Sequence, residues 1–149
     1  MKRDQLLLSD DKLAQQCVEI SKASFETASP WNKEQFLASF SAKNQQVFLT
    51  IEQKEVVSFI VISTVLDEAE IELIAVDNRF KRRGYGKSLL NEVLCELEKN
   101  EVKDIFLEVR ESNLAAQKFY RFFGFQEIGR RKNYYQHPKE DGLMFKLSI

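Results

Sequence analysis

The chain has 149 residues, the size of one ordinary domain, and its 44% hydrophobic and 30% charged residues are typical of a globular protein. Its 22 basic and 23 acidic residues give a formal net charge of −1, which excludes the broad positive field that non-specific nucleic-acid binding needs. No apolar run approaches the roughly 18 residues of a membrane span. We therefore expect one domain over residues 1–149 of a cytoplasmic protein, without direct nucleic-acid binding or membrane binding.

The two cysteines, Cys17 and Cys95, lie far apart and have no histidine near them in the sequence. This spacing argues against a zinc site and against a disulfide scaffold, so we expect no metal. Cys17 follows Leu13 by four residues, which predicts a place in the core. Cys95 falls opposite the apolar stripe of its own helix. A catalytic thiol is an alternative there, although the single histidine, His137, lies in a polar loop.

Two helices are predicted near the amino terminus. Helical spacing places on one face Leu13, Cys17, Ile20 and Ser24. This pattern predicts a helix from Asp11 to about Phe25 that ends before Ser29–Pro30. Asn32, followed three residues later by Gln35, resembles a capping box and predicts a second, short helix.

Three strands should follow. Val47–Ile51 and Val56–Leu66 are rich in β-branched and aromatic residues and flank the polar Glu52–Glu55, which predicts a hairpin. In the third strand, strict alternation would place on one face Glu70, Glu72, Ile74 and Val76. The other face would carry Ile71, Leu73, Ala75 and Asp77. This strand therefore carries acidic side chains on one face near its start, and a basic loop follows it.

The second half of the chain alternates helices and strands. A broad apolar stripe predicts a helix to about Lys99, formed by Leu89, Leu90, Val93, Leu94 and Leu97. Ile105–Val109 is a predicted strand. Asn113 is a predicted N-cap, and its helix should end at Gly124, where a left-handed residue is favoured before Phe125.

Two final strands, around Gln126–Arg131 and Leu143–Ile149, should flank a loop that contains Tyr134, Tyr135 and Pro138. Helices, a hairpin and a third strand thus precede strand, loop and helix units and a closing pair of strands. This order predicts a mixed α/β sheet with helices on both faces.

Gly84 and Gly86 lie at the junction between a predicted strand and a helix, in a chain with only 5 glycines. Glycine permits a left-handed backbone and a close approach by another molecule, and the first amides of a helix are unpaired. Residues 79–87 include no acid, and their cations are Arg79, Lys81, Arg82, Arg83 and Lys87. A diphosphate is the natural ligand of such a loop. From the loop alone, a solvated basic turn is an equally good interpretation.

Further motifs follow one another in the order found in a known family: Ile74-Ala75-Val76-Asp77, Arg82-Arg83-Gly84-Tyr85-Gly86, Leu107-Glu108-Val109-Arg110, Asn113, Tyr120, Gly124-Phe125 and Asn133-Tyr134-Tyr135. On these residues the chain resembles the GNAT acetyltransferase superfamily, and within it the RimI family of bacterial ribosomal-protein-alanine N-acetyltransferases. The resemblance covers nearly the whole chain. It implies a single domain with a mixed, mostly antiparallel sheet and helices on both faces.

The resemblance also implies where acetyl-CoA, the co-substrate of that family, would bind. Its pantetheine arm should pair like an extra strand with Ile74, Ala75 and Val76. Its pyrophosphate should rest on Arg82, Arg83, Gly84, Tyr85, Gly86 and Lys87. Asn113 matches a further contact position of the family. The chain departs from the family pattern at Lys81, because lysine lacks the planar fork of arginine and the amide of glutamine that are usual there.

Two catalytic residues are implied by the resemblance, Glu108 as the general base and Tyr120 as the general acid for direct attack of an amine on the thioester. From sequence position alone, a salt bridge between Glu108 and Arg110, or a surface site, is the better explanation for Glu108. A core tyrosine is an equally good explanation for Tyr120.

The leading hypothesis for function is acetylation of the N-terminal alanine of a small-subunit ribosomal protein, by an enzyme that is a monomer or a weak dimer. The alternatives are a GNAT enzyme that acetylates lysine side chains or small amines, and a non-catalytic acyl-CoA-binding module. Acidic residues could attract a basic peptide, although a solvated strand edge explains them better: Asp67, Glu68, Glu70 and Glu72.

Overall fold

The computed structural model describes residues 1–3, 6, 8–25 and 30–149. The elements follow in the order α1 (Asp10–Ser24), α2 (Lys33–Ser41), β1 (Gln45–Glu52), β2 (Glu55–Val65), β3 (Glu68–Val76), α3 (Tyr85–Lys99), β4 (Asp104–Arg110), α4 (Leu114–Phe122), β5 (Gln126–Gln136) and β6 (Lys139–Ser148). A short 3-10 turn at Asn78–Phe80 lies between β3 and α3. The predicted helices and strands are therefore present in the predicted order.

The first two helices begin and end close to the predicted residues. Ser9 caps α1 by accepting a hydrogen bond from the amide of Lys12. The capping box of α2 is complete, because the Asn32 side chain accepts from the Gln35 amide at 2.9 Å and the Gln35 side chain accepts from the Asn32 amide at 2.8 Å. The predicted stop at Ser29–Pro30 lies partly outside the described residues, since Ser29 is not among them.

The β1–β2 hairpin is confirmed although its turn has no glycine. Gln53 and Lys54 form the turn with φ values of 50° and 66°, both in the left-handed region. Two successive residues of that kind match the right-handed twist of the flanking strands. The turn therefore closes the hairpin tightly with two ordinary side chains.

All six strands belong to one sheet with the order β1-β2-β3-β4-β6-β5. Neighbouring strands are antiparallel except β3 and β4, which are parallel. The parallel ladder contains only three residue pairs and ends at Glu70 opposite Phe106. Beyond it, Ile71–Val76 of β3 and Leu107–Arg110 of β4 are not paired with each other. We call the opening between these two segments the gap.

Helices cover both faces of the sheet, as predicted. On one face α3 and α4 pack over a core built around Leu90, Val93, Ile105, Leu107 and Phe145. On the other face α1 and α2 pack over a second core built around Leu13, Cys17, Phe36, Leu49 and Phe59. Cys17 is fully buried, as its spacing predicted, and burial raises the pKa of its thiol well above the ordinary value.

The predicted alternation along β3 is wrong after Ile71. The pairing of β2 with β3 shifts by one residue between Val61 and Ile62, so Glu72 is an extra residue in β3. Such a bulge reverses which face the following side chains take. Ile71 therefore packs under α3, whereas Leu73 and Ala75 pack under α1. Ile74 and Val76 are turned toward the α3–α4 face as a result.

The predicted loop with Tyr134 and Tyr135 is also wrong, because both residues belong to β5, which continues to Gln136. Three consecutive residues of β5, 132–134, lie opposite Asp141 alone in β6, between the pairs Arg131–Gly142 and Tyr135–Glu140. Local turn signals could not show that such an irregular pair of strands stays joined.

Among the described residues, no helix is long and apolar enough to cross a membrane.

Candidate active site

A cavity of about 490 Å³ opens at the carboxyl end of β3, between the start of α3 and the side of α4 that carries Ala116, Phe119 and Tyr120. This volume is within the range of small-molecule sites. Every predicted cofactor residue except Arg83 lines it: Ile74, Ala75, Val76, Arg82, Gly84, Tyr85, Gly86, Lys87 and Asn113. Arg83 instead places its guanidinium carbon 5.4 Å from the centre of the Phe80 ring.

The cavity wall also includes residues that were not predicted from the sequence to belong to the site: Ser24, Phe25, Phe80, Ala116 and Phe119. Ala116 and Phe119 share the helical spacing of Tyr120, so an apolar face of α4 was a signal for them. Nothing in the sequence around Ser24 marked it as a site residue, because it contacts β3 only in the folded chain. Its hydroxyl donates a hydrogen bond to the Val76 carbonyl at 3.1 Å, across 52 positions of sequence.

The amino terminus of α3 differs from the other three α-helices. Side chains of Ser9, Asn32 and Asn113 cap α1, α2 and α4, but Gly84 makes no side-chain cap at α3. Gly84 has φ 84°, and the first backbone bond of the helix, from the Ser88 amide to the Gly84 carbonyl, is 3.0 Å long. The amides of Tyr85, Gly86 and Lys87 are therefore left at the cavity without a capping side chain, which suits an anionic ligand.

The strand register shows which backbone groups of β3 face the gap. The Asp77 amide donates to the Val57 carbonyl at 2.7 Å, so Asp77 and Val57 form a hydrogen-bonded pair. Alternation in an antiparallel ladder then directs the N–H and C=O groups of Ala75 toward β2 and those of Ile74 and Val76 toward the gap. Ile74 can thus pair with an extended ligand through both groups and Val76 through its N–H, since its carbonyl accepts from Ser24, whereas Ala75 can contribute only its side chain.

Tyr120 lies at the inner end of the cavity on α4 and is 5% exposed. Its ring centre is 5.3 Å from that of Phe119 and 5.6 Å from that of Phe125. Within the described part of the chain no side chain or backbone group is hydrogen-bonded to its hydroxyl. Burial, and secondarily the nearby Tyr135, raises the pKa of Tyr120 above the ordinary value. The residue therefore presents a fully protonated, unpartnered hydroxyl.

Glu108 lies on the opposite side of β4 from Tyr120. Its neighbours Leu107 and Val109 belong to the core under α3 and α4, so alternation turns Glu108 to the other face. A salt bridge to Arg110 was the interpretation favoured from position alone, and it is wrong. Arg131 pairs with Glu108 instead, with Nε 3.2 Å from Oε1. The second oxygen, Oε2, is buried and has no hydrogen-bond partner among the described residues.

Arg110 instead fastens the β5–β6 turn to the end of β4. Its guanidinium lies 3.1 Å from Glu140 and donates to the Pro138 carbonyl at 2.9 Å. Glu140 in turn accepts from the Ser112 amide at 2.9 Å. The same guanidinium is 4.3 Å from the centre of the Tyr135 ring. The β5–β6 hairpin is therefore held beside Glu108.

A second opening, a groove of about 310 Å³, lies on the Glu108 side of the gap. Its wall includes Phe106, Met144 and Arg131 together with Glu70 and Glu108. We call this opening the acceptor groove. The cavity thus lies at the β3 side of the gap, at Ile74–Val76, and the acceptor groove lies at its β4 side, at Leu107 and Glu108.

Two tyrosines of β5 lie near Glu108 and were not assigned a role from sequence. Burial, and then the charge of Glu108, raises the pKa of Tyr135 to about 12. The charge of Glu108, and then burial, also raises the pKa of Tyr134. Cys95 is exposed and lines neither opening, so it has no place in the site.

Comparison with known proteins agrees with this geometry. The chain is 40% identical over 123 residues to the [ribosomal protein bS18]-alanine N-acetyltransferase of Haemophilus ducreyi, a match that covers 80% of this chain and 84% of that protein. The crystal structure of the ribosomal-protein-S18-alanine N-acetyltransferase from Escherichia coli superimposes with a TM-score of 0.83 at 33% identity, over 91% of this chain and 87% of that one.

An acetyltransferase of Bacillus anthracis, solved in complex with acetyl coenzyme A, matches with a TM-score of 0.66 at 26% identity, over 73% of this chain and 65% of that one. The family model described as Acetyltransferase (GNAT) family matches residues 14–125. This match spans the cavity, the uncapped start of α3, Glu108 and Tyr120. The chain belongs to the GNAT acetyltransferase family.

Proposed function

We propose that the chain acts in the cytoplasm as one acetyltransferase domain over residues 1–149, which transfers the acetyl group of acetyl-CoA to the N-terminal alanine of ribosomal protein bS18. The observation that carries this proposal is the placement of Glu108 and Tyr120 on opposite sides of β4, each at an opening that reaches the gap. The relative from Haemophilus ducreyi, which is named for this reaction, supports the choice of acceptor.

The cavity residues fit acetyl-CoA by their chemistry. The uncapped amides of Tyr85, Gly86 and Lys87, with the positive charge of Arg82, suit its pyrophosphate. The N–H and C=O groups of Ile74 and the N–H group of Val76 suit the amides of its pantetheine arm, which can pair with them as a strand would, while the Val76 carbonyl already accepts from Ser24. Asn113 has its side-chain oxygen bound to the Ala116 amide at 3.1 Å, which leaves its NH₂ group for the ligand.

Bound acetyl-CoA supplies an acetyl group that is activated as a thioester. Glu108 accepts the proton that the acceptor amine must lose, and its unpartnered Oε2 is the atom available for this task. Tyr120 donates a hydrogen bond toward the sulfur, where negative charge develops. The raised pKa of Tyr120 makes it a weaker acid than a thiol near 8.5, so hydrogen bonding fits better than complete proton transfer.

The class of acceptor follows from how readily the amine loses its proton. Only the uncharged amine attacks, and an α-amine has a pKa of about 7.7 to 8.0 whereas that of lysine is about 10.4. Reaching the free amine at neutral pH is therefore easier for an N-terminus by about 3.5 kcal/mol. One carboxylate, without a second base, is adequate for that acceptor.

The experiment that tests the proposal offers the purified chain two peptides together with acetyl-CoA. One has the N-terminal sequence of the ribosomal protein with a free alanine, and the other has the same sequence with a blocked N-terminus and one added lysine. We expect mass spectrometry to find acetylation of the first peptide only. Acetylation of the lysine peptide at a similar rate would contradict the proposal, as would tight acetyl-CoA binding without transfer to either peptide.

The two loop glycines should respond differently to substitution by alanine. At Gly84, with φ 84°, a Cβ meets no atom within 4 Å, so Gly84→Ala should mainly strain the backbone and cost about 1 kcal/mol. At Gly86 a Cβ would lie 3.5 Å from Val76 and 3.6 Å from Phe119, which are ordinary contacts that fill the cavity wall. Gly86→Ala should therefore weaken acetyl-CoA binding about tenfold and keep the melting temperature.

Calorimetric titration and thermal unfolding of both variants check this expectation. For Gly84→Ala, the melting temperature should fall by about 3 °C, with a smaller change in acetyl-CoA affinity. An unchanged affinity in Gly86→Ala would show that the ligand does not approach this part of the backbone.

A further inference from the structure

The two oxygens of the Glu108 carboxylate are in different surroundings. Oε1 is 3.2 Å from Nε of Arg131, whereas Oε2 is buried and has no partner among the described residues. The Glu108 side chain is only 15% exposed. A buried carboxylate oxygen without a partner is costly, so it is expected to serve a ligand.

We infer that Arg131 is a positioning residue for the acceptor reaction: by binding Oε1 it fixes the carboxylate of Glu108 so that Oε2 is presented to the acceptor amine. This inference rests on the proposed function, in which Glu108 is the general base. It adds a residue that neither contacts acetyl-CoA nor takes up a proton itself.

The place of Arg131 in the fold supports this role. It lies on β5, at the point where the register with β6 becomes irregular, and it lines the acceptor groove together with Glu108 and Glu70. Its guanidinium carbon is 5.4 Å from the centre of the Tyr134 ring, which restricts where the group can lie. Arg131 holds Oε1 by an ion pair at 3.2 Å, and its rigid, planar guanidinium is a less mobile partner than the flexible ammonium of a lysine.

The side chains that line the acceptor groove carry more negative than positive charge, which favours a cationic ligand. Glu68, Glu70 and Glu108 line it with Arg131, so three carboxylates share one guanidinium there. The pKa of Glu70 is raised by partial burial first and then by the charges of Glu72 and Glu108, while Arg131 lowers it. A protonated acceptor amine would add positive charge beside Oε2.

The neighbouring arginine offers a matched control. Arg130 lies one position earlier on β5, and its guanidinium pairs with Glu111 at 2.7 Å and with Asp141 at 2.9 Å, outside both openings. Arg130→Gln and Arg131→Gln remove the same charge from adjacent positions. Both replaced groups are about half exposed, at 43% and 52%, so both variants should fold normally.

The test measures kcat and the acceptor KM of these variants with the amine that the wild-type chain acetylates. Arg131→Gln should lower kcat about tenfold because the base is no longer held in place. Its acceptor KM should stay the same or fall, since a positive charge beside the incoming ammonium is removed. Arg130→Gln should match the wild type in both constants. Arg131→Lys should recover only part of kcat.

Three results would overturn the inference: equal kcat in Arg131→Gln and Arg130→Gln, a loss confined to KM, and complete recovery in Arg131→Lys, which would show that charge alone is sufficient. Failure of the proposed function is distinguishable, because it appears in the wild-type chain. If the wild type acetylates lysine rather than an N-terminus, the acceptor assignment fails, while the same comparison with the lysine amine still tests Arg131.

Discussion

Glu108→Gln should lower kcat by about a hundredfold or more at neutral pH, and the loss should shrink as the pH rises. Glutamine keeps the shape of the side chain but accepts no proton. The variant then depends on acceptor that is already uncharged, a fraction that grows about tenfold per pH unit below the α-amine pKa of about 7.7 to 8.0. Measuring kcat of both proteins from about pH 6 to 9.5 checks this dependence.

Stability should not fall with this substitution. The carboxylate keeps one buried oxygen without a partner, and its one ion pair is with an arginine that is 52% exposed. Neither feature stabilises the fold much, so the melting temperature of Glu108→Gln should be equal to that of the wild type or higher. An equal or higher melting temperature together with a lower kcat would be the result expected of a residue that serves catalysis rather than folding.

Glu111→Gln is the matched control for that experiment. Glu111 follows β4 directly and forms an exposed ion pair with Arg130 at 2.7 Å, so its loss removes the same charge near the same strand. This variant should keep wild-type kcat at every pH. Full activity of Glu108→Gln with a flat pH response would instead show that Glu108 is structural.

Local features of this fold could be predicted from the sequence because local chemistry determines them. The capping box of Asn32 and Gln35, the cap at Asn113 and the left-handed Gly124, with φ 94°, each depend on residues within one turn of a helix. The uncapped start of α3 follows in the same way from Gly84. These features bring the predicted phosphate loop to the cavity.

Contacts between distant strands could not be predicted in this way. The extra residue at Glu72 depends on how β2 and β3 pair, and periodicity alone gave the wrong face for Leu73 and Ala75. The predicted ion-pair partner of Glu108 was wrong for a similar reason. Arg110 is closer in sequence, but the β5–β6 hairpin supplies Glu140 to Arg110 and Arg131 to Glu108.

The division of the site between two faces of the sheet also needed the structure. The sequence places Glu108 and Tyr120 only twelve positions apart, on a strand and on the helix that follows it. It does not show that the parallel ladder of β3 and β4 stops after three pairs. That early stop makes the gap, through which the proposed base Glu108 and the proposed hydrogen-bond donor Tyr120 would reach the same bond.

Tyr120→Phe should lower kcat about a hundredfold while changing acetyl-CoA affinity less than about twofold. Phenylalanine keeps the ring contacts with Phe119 and Phe125 and removes only a hydroxyl that has no hydrogen-bond partner in the described chain. The hydroxyl matters only when charge develops on the sulfur, so its loss should affect the transition state rather than the bound ground state. Steady-state kinetics and calorimetric titration of acetyl-CoA separate the two effects.

The pH dependence of the wild type gives a second check on Tyr120. Burial raises its pKa, so the neutral hydroxyl persists above the ordinary tyrosine value of about 10. We therefore expect the kcat of the wild type not to fall between about pH 8 and 9.5. Tyr120→Phe should show the same pH dependence over this range. An alkaline limb that disappears in this variant would mean that Tyr120 ionises in the working range and transfers its proton. Equal losses of kcat and of acetyl-CoA affinity would mean instead that the hydroxyl only helps to bind the co-substrate.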